Sequence, residues 1–132
     1  MKKDLPKTLN ETFDFLEKEK FDGLIEWLEE DINTALGQAH HGLGQWIRNN
    51  FGLWGEKSEL RDWFKEKYFL DQADDISSII LINYHERKNN NEPDLDKHID
   101  LYHKHWSKVI KGYDLKLRNF KIKKLCTSLN KQ

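Results

Sequence analysis

The sequence is poor in the residues that mark special architectures. It has one cysteine, Cys126, which excludes an internal disulfide and a zinc site built on several thiolates. Two prolines and seven glycines exclude collagen-like repeats and proline-rich linkers. No run approaches the roughly 18 apolar residues that a membrane-spanning helix needs, and the mean hydropathy is -0.88. The first residues, MKKDLPKTLNE, carry two lysines without an apolar stretch behind them, so they do not read as a signal peptide. No Gly-x-Ser-x-Gly elbow or phosphate loop occurs, and Gly42-Leu43-Gly44 lacks the third glycine and the preceding strand of a nucleotide fingerprint. These absences point to a cytoplasmic, non-catalytic protein without membrane association. The length of 132 residues suits one domain.

Aromatic residues and charge are plentiful. Five Trp and seven Phe can each bury about 150–250 Å², enough for a compact core although hydrophobic residues make up only 37%. The formal net charge of -1 conceals a division, with residues 1–103 at -9 and residues 104–132 at +8. A basic end reads either as a solvated helix face with lysine stems over apolar surface or as a footprint for nucleic acid or an acidic partner. The acidic part has its own functional reading, a surface that competes with nucleic acid for a basic groove.

Hydrophobic spacing predicts helices. Thr8 and Glu11 form a capping box before Leu9, Phe13 and Leu16, giving a first helix near 8–19. Asp22 is placed to cap a second, with Leu24, Trp27 and Leu28 on one face. A third stretch spans about 33–50 and holds Gly37, Gly42 and Gly44. Each glycine weakens a helix by about 1 kcal/mol relative to Ala, so three together imply close backbone packing. Gly52 and Gly55 bracket a turn, and Ser58 caps a helix carrying Leu60, Trp63 and Phe64. Asp74 and Asp75 open the next, whose apolar run Ile76–Ile82 ends at Asn89-Asn90-Asn91. Pro93 and Asp94 begin a long helix with a heptad-like seam through Leu95, Ile99, Tyr102, Trp106, Val109 and Tyr113, which Gly112 interrupts. Beyond it, Leu115–Arg118 and Phe120–Lys123 alternate, leaving a short strand and a basic helix both open. The expected fold is mainly α: a compact single-domain bundle of five to six helices with a long C-terminal helix, residues 1–110 forming the domain and 111–132 a basic extension.

The segment His40-His41-Gly42-Leu43-Gly44-Gln45-Trp46-Ile47-Arg48-Asn49-Asn50-Phe51-Gly52-Leu53-Trp54 resembles the signature of an uncharacterised bacterial domain family reading roughly H-x-G-L-G-x-W-I-R-N-N-x-G-L-W. The resemblance takes in Leu5-Pro6-Lys7-Thr8-Leu9, Asp74 to Leu81 and Tyr84-His85, and reaches Trp106, covering about residues 5–107. It implies a compact, mainly helical domain and no particular activity.

Arg48, Asn49 and Asn50 have two readings. An arginine fork grips a carboxylate or phosphate at two points, and an Asn amide both donates and accepts, so the cluster would suit a ligand or partner. The alternative is an internal network in which Arg48 pairs with Asp74 or Asp75 and the Asn amides cap helix ends. His98, His103 and His105 share one predicted helix, but only His98 and His105 line up, two turns apart, so no metal site is expected and the three read as surface groups. Cys126 lies among lysines without an assignable histidine, and Glu29-Glu30 and Asp74-Asp75 suit capping better than acid–base work. No cofactor is expected.

The leading expectation is a small protein-binding module, a stoichiometric inhibitor or regulator (of anti-defence, anti-CRISPR or immunity type) of a larger nucleic-acid-handling protein such as a nuclease or ribonucleoprotein. Trp, Tyr and Arg carry most interface energy, which selects Arg48, Asn49, Trp54, Trp63, Tyr102 and Trp106 as partner-binding candidates. The second expectation is direct RNA or DNA binding through Lys108, Lys111, Lys116, Arg118, Lys121, Lys123 and Lys124, with Tyr113 and Phe120 stacking on bases. A third is a structural subunit that dimerises along the 95–113 seam.

Overall fold

Thr8 starts the first helix as its chemistry requires: its backbone is extended and its Oγ1 accepts a hydrogen bond from the Glu11 N–H at 3.2 Å. In a computed structural model, which describes residues 4–130, the chain is helical throughout, with eight helices and no strand among the described residues. They are α1 (Leu9–Lys18), α2 (Leu24–Glu29), α3 (Ile32–Ala39), α4 (Leu43–Asn50), α5 (Glu59–Tyr68), α6 (Ala73–Lys88), α7 (Leu95–Val109) and α8 (Tyr113–Asn130). The count exceeds the expected five to six for two reasons. The 33–50 stretch is two helices, and the sequence after Gly112 is a regular helix rather than a strand.

The break between α3 and α4 falls at residues 40–42, where Gly42 leaves helical geometry (φ -107°, ψ -100°). Close packing is realised at one of the three glycines. A Cβ on Gly44 would lie 2.9 Å from the Ala39 carbonyl oxygen, 3.1 Å from Arg48 Nη1 and 3.5 Å from Leu81 Cδ1, whereas Gly37 and Gly42 face open space. Gly44 thus lets the start of α4 fold back closely on the end of α3, with Leu81 of α6 in ordinary contact. Gly52 (φ 72°) ends α4 in a left-handed turn, and the Leu53 N–H closes it on the Arg48 carbonyl at 3.2 Å. At α2 the capping position is Gly23, in left-handed geometry without a side-chain cap, rather than Asp22.

Helix α6 is the axis of the fold, packed by α1, α3, α4 and α5. Its apolar residues point in every direction: Ile76, Ile79, Ile80, Leu81, Ile82 and Tyr84 are all buried, so no single stripe can be drawn on it. Leu16, Ile47, Leu53, Leu60, Phe64 and Leu70 complete this core. The chain divides into two compact units, the first reaching to Leu95 and the second beginning at Asp96 in the first turn of α7. The boundary expected at residue 110 coincides instead with the turn joining α7 to α8, where Gly112 has φ 84°. Residues 96–109 therefore belong with the basic segment. Between α7 and α8 lies an open cavity of ≈ 540 Å³, lined by His103 and Lys104 on one helix and Asp114 and Leu117 on the other.

Candidate interaction surface

Arg48 occupies the centre of the sequence motif and is only 6% exposed. Its guanidinium is already occupied. Nη1 donates to Ser77 Oγ at 3.0 Å, Nη2 donates to the His40 carbonyl at 2.8 Å, and Nε lies 3.3 Å from Asp74 Oδ1. Ser77 Oγ in turn donates to the Asp74 carbonyl at 2.9 Å. Of the two readings of this motif, the internal network describes what is observed: Arg48 ties the α3 end and α4 to the first turns of α6. Asn50 behaves likewise, its Nδ2 donating to the Trp46 carbonyl at 2.8 Å.

The other partner candidates are scattered. Asn49 accepts a hydrogen bond from Trp54 Nε1 at 2.9 Å, and the Trp54 ring, 62% exposed, stands on the surface as a held aromatic group. Trp63 is half-buried within an aromatic set, with ring centroids 5.1 Å from Phe64 and 5.7 Å from Tyr68. Tyr102 and Trp106, on α7, are half-buried too. The histidines depart from expectation. His105 is exposed and meets Trp106 edge-on, but His98 is half-buried and His103 is buried, its ring 6.4 Å from that of Tyr113. Among the described residues no group of three or more His, Cys, Asp or Glu is placed to hold a metal ion, and no helix is long and apolar enough to cross a membrane.

Helix α8 carries the feature that the sequence reading missed. Leu115, Ile122, Leu125 and Leu129 are each more than half exposed (60%, 53%, 61% and 57%). Their spacing of seven, three and four places them on one face. Tyr113, Leu117 and Phe120, all half-buried, form a second stripe on the opposite face, because residues two apart on a helix are about 200° apart. Apolar residues on two opposite faces also explain why residues 115–123 alternate as a strand would. The candidate stacking rings are not free: Tyr113 meets His103, and Phe120 lies under the Lys124 ammonium at 5.6 Å. Lys116, Arg118, Lys121, Lys123 and Lys124 are exposed but spread around the whole helix circumference, with Arg118 inside the exposed apolar stripe. Lys108 and Lys111 are exposed before the α7–α8 turn is complete.

Two groups elsewhere are electrostatically displaced from their ordinary behaviour. The Thr34 hydroxyl and N–H bonds to Asp31, the cap of α3, hold that carboxyl below its usual range. Burial in the core, with Glu17 nearby, pushes the Tyr84 phenol upward.

Residues 5–88 match the family model described as a domain of unknown function, DUF6794. The chain belongs to that family. No curated protein and no solved structure matches it. The family segment coincides with α1–α6, so it contains the Arg48 network, the Trp54 platform and the α6 axis. It stops short of Trp106, which the resemblance seen in the sequence had included, and leaves α7 and α8 outside. The basic helix with two apolar faces lies outside the matched segment.

Proposed function

We propose that this protein is a non-catalytic binding module that docks onto a larger protein through α8, acting as a stoichiometric regulator. The observation that carries the reading is the stripe Leu115, Ile122, Leu125 and Leu129, exposed opposite the half-buried Tyr113–Leu117–Phe120 face. A helix with apolar residues on two faces is built for packing on both, and contiguous exposed apolar surface marks an interaction site. The cations around it define the partner: an apolar groove with a carboxylate-bearing rim, attracted by Lys116, Arg118, Lys121 and Lys123. A second copy of α8 fits poorly, since the helix holds five cations against the one carboxylate of Asp114. The partner class proposed is a nucleic-acid-handling enzyme: residues 1–103, at -9, carry the negative charge that competes with nucleic acid for a basic groove, while the cationic helix docks on a carboxylate-bearing rim.

Direct RNA or DNA binding is the second reading. Exposed Lys108, Lys111, Lys116, Arg118, Lys121, Lys123 and Lys124 favour it, but it leaves the apolar stripe in water and engages only the cations on one side of the helix. One experiment separates the two. Affinity capture with the full chain is repeated with Ile122→Glu/Leu125→Glu and after nuclease treatment. The protein reading expects near-stoichiometric capture that survives nuclease and is lost in the double variant while its circular dichroism is retained. Capture lost with nuclease, or tight binding of labelled RNA or DNA that falls steeply with salt, would replace it with the second reading.

A further inference from the structure

Between the first turn of α1 and the C-terminal end of α6 lies a polar hollow of ≈ 300 Å³, lined by Asn10, Asn83, Arg87, Asn91 and Glu92 among others. All of these residues belong to the unit that ends at Leu95. Asn83 is 5% exposed, and its Nδ2 has no hydrogen-bond partner. A buried amide left unpaired in a native fold calls for an explanation, and here it lines a space large enough for a small molecule.

The surrounding groups are held in place rather than left to solvent. The Arg87 guanidinium lies 3.8 Å over the Phe13 ring and donates through Nη1 to Asn10 Oδ1 at 3.4 Å. The loop carrying Asn91 and Glu92 is pinned where Asn90 takes a left-handed conformation (φ 60°) and the Asn91 N–H donates to the Glu86 carbonyl at 2.8 Å. The hollow therefore has one fixed cation and one carboxylate, flanked by amides. Helix dipoles reinforce the polarity: α1 turns its positive, N-terminal end toward this region and α6 its negative, C-terminal end.

A simple anion would meet the repulsion of Glu92, and a simple cation that of Arg87. A ligand with both charges a few ångströms apart satisfies the set. We propose that this hollow binds a small α-amino acid in its zwitterionic form. The carboxylate is held by Arg87 and by the free Asn83 amide, and the ammonium by Glu92. Arginine forks suit planar carboxylates, and the amide of Asn83 gains the partner it lacks.

The test is a titration of the full, ¹⁵N-labelled chain with glycine, acetate and methylammonium, read from the Asn83 side-chain amide and the backbone N–H groups of Asn91 and Glu92. Glycine is expected to move these signals at concentrations where acetate and methylammonium leave them in place. Asn83→Leu should abolish the response, and Glu92→Gln should weaken glycine at least fivefold, to the level of acetate. Should Asn83→Leu fail to fold, Glu92→Gln, on the exposed rim, decides alone. An Asn83 amide that none of the three probes moves would mean that water alone fills the hollow and would overturn the proposal. So would acetate acting as strongly as glycine, or Glu92→Gln without effect.

Discussion

Gly44 and Gly37 both lie inside helices, yet a methyl group added to each has opposite consequences. At Gly44 the new Cβ meets the Ala39 backbone oxygen at 2.9 Å and the Arg48 guanidinium at 3.1 Å, so either α3 and α4 move apart or Arg48 gives up its bonds to Ser77 and the His40 carbonyl. At Gly37 it enters open space on an exposed helical position, where Ala has the better propensity. Gly44→Ala should lower unfolding free energy by about 1–3 kcal/mol, and Gly37→Ala should raise it by about 0.4–1 kcal/mol, both read from urea denaturation. The sequence offered three glycines with no means of ranking them, because the distinction lies in how sharply the chain turns between α3 and α4 and where the Arg48 fork is held. Tyr84 makes a residue-scale prediction in pH. It is buried and its phenol is raised above the ordinary value near 10, so the folded chain holds this proton more tightly than the unfolded one. Its contribution is complete below about pH 10 and is lost as pH rises through the folded value. Stability measured from pH 8 to 12 should therefore fall less steeply in Tyr84→Phe than in the parent.

At the scale of elements, one side chain joins three helices. Arg48 reaches the carbonyl at the end of α3, the hydroxyl of Ser77 and the carboxylate of Asp74 from a buried position on α4. Removing it leaves a void and strands those acceptors, so Arg48→Ala should cost about 2–4 kcal/mol. Asp74 is 62% exposed, and water replaces what it loses, so Asp74→Asn should cost under about 1 kcal/mol. Arg48→Lys should fall between, since one ammonium cannot serve three separated acceptors. Equal losses from Arg48→Ala and Asp74→Asn in thermal unfolding would show that the ion pair, rather than the buried fork, holds the elements together. The pairing of Arg48 with Asp74 was readable in outline, because a helix-end arginine and a helix-start aspartate form a common complement. The termini of α1 and α5 were equally legible, since Thr8 and Ser58 cap by local chemistry alone. The division of residues 32–50 into α3 and α4 was not legible: both pieces keep helical spacing, and the break is decided by docking on α6. Helix α8 was ambiguous for a related reason. Helix and strand periodicities coincide when apolar residues occupy two opposite faces.

For the whole molecule, the distribution of buried residues separates stability from binding. Among the described residues every buried apolar side chain except Ile99 lies in the family segment, and the only buried side chain beyond Ile99 is His103. The described residues of α8 after Tyr113 are exposed or half-buried, and its four exposed apolar residues gain nothing from remaining in water. Isolated helices of such length are marginal in water, and on the proposed reading the partner is what covers the exposed stripe. A chain ending at Ile110 should accordingly retain its near-ultraviolet circular dichroism and unfold within about 5 °C of the full chain, a shift of roughly 1 kcal/mol or less. The same chain should lose partner capture completely. Retained capture would move the interface to the family segment, where Trp54 on Asn49 is the exposed aromatic anchor. A fall in the unfolding midpoint well beyond 5 °C would instead make α8 part of the folding unit, with its apolar stripe serving the fold.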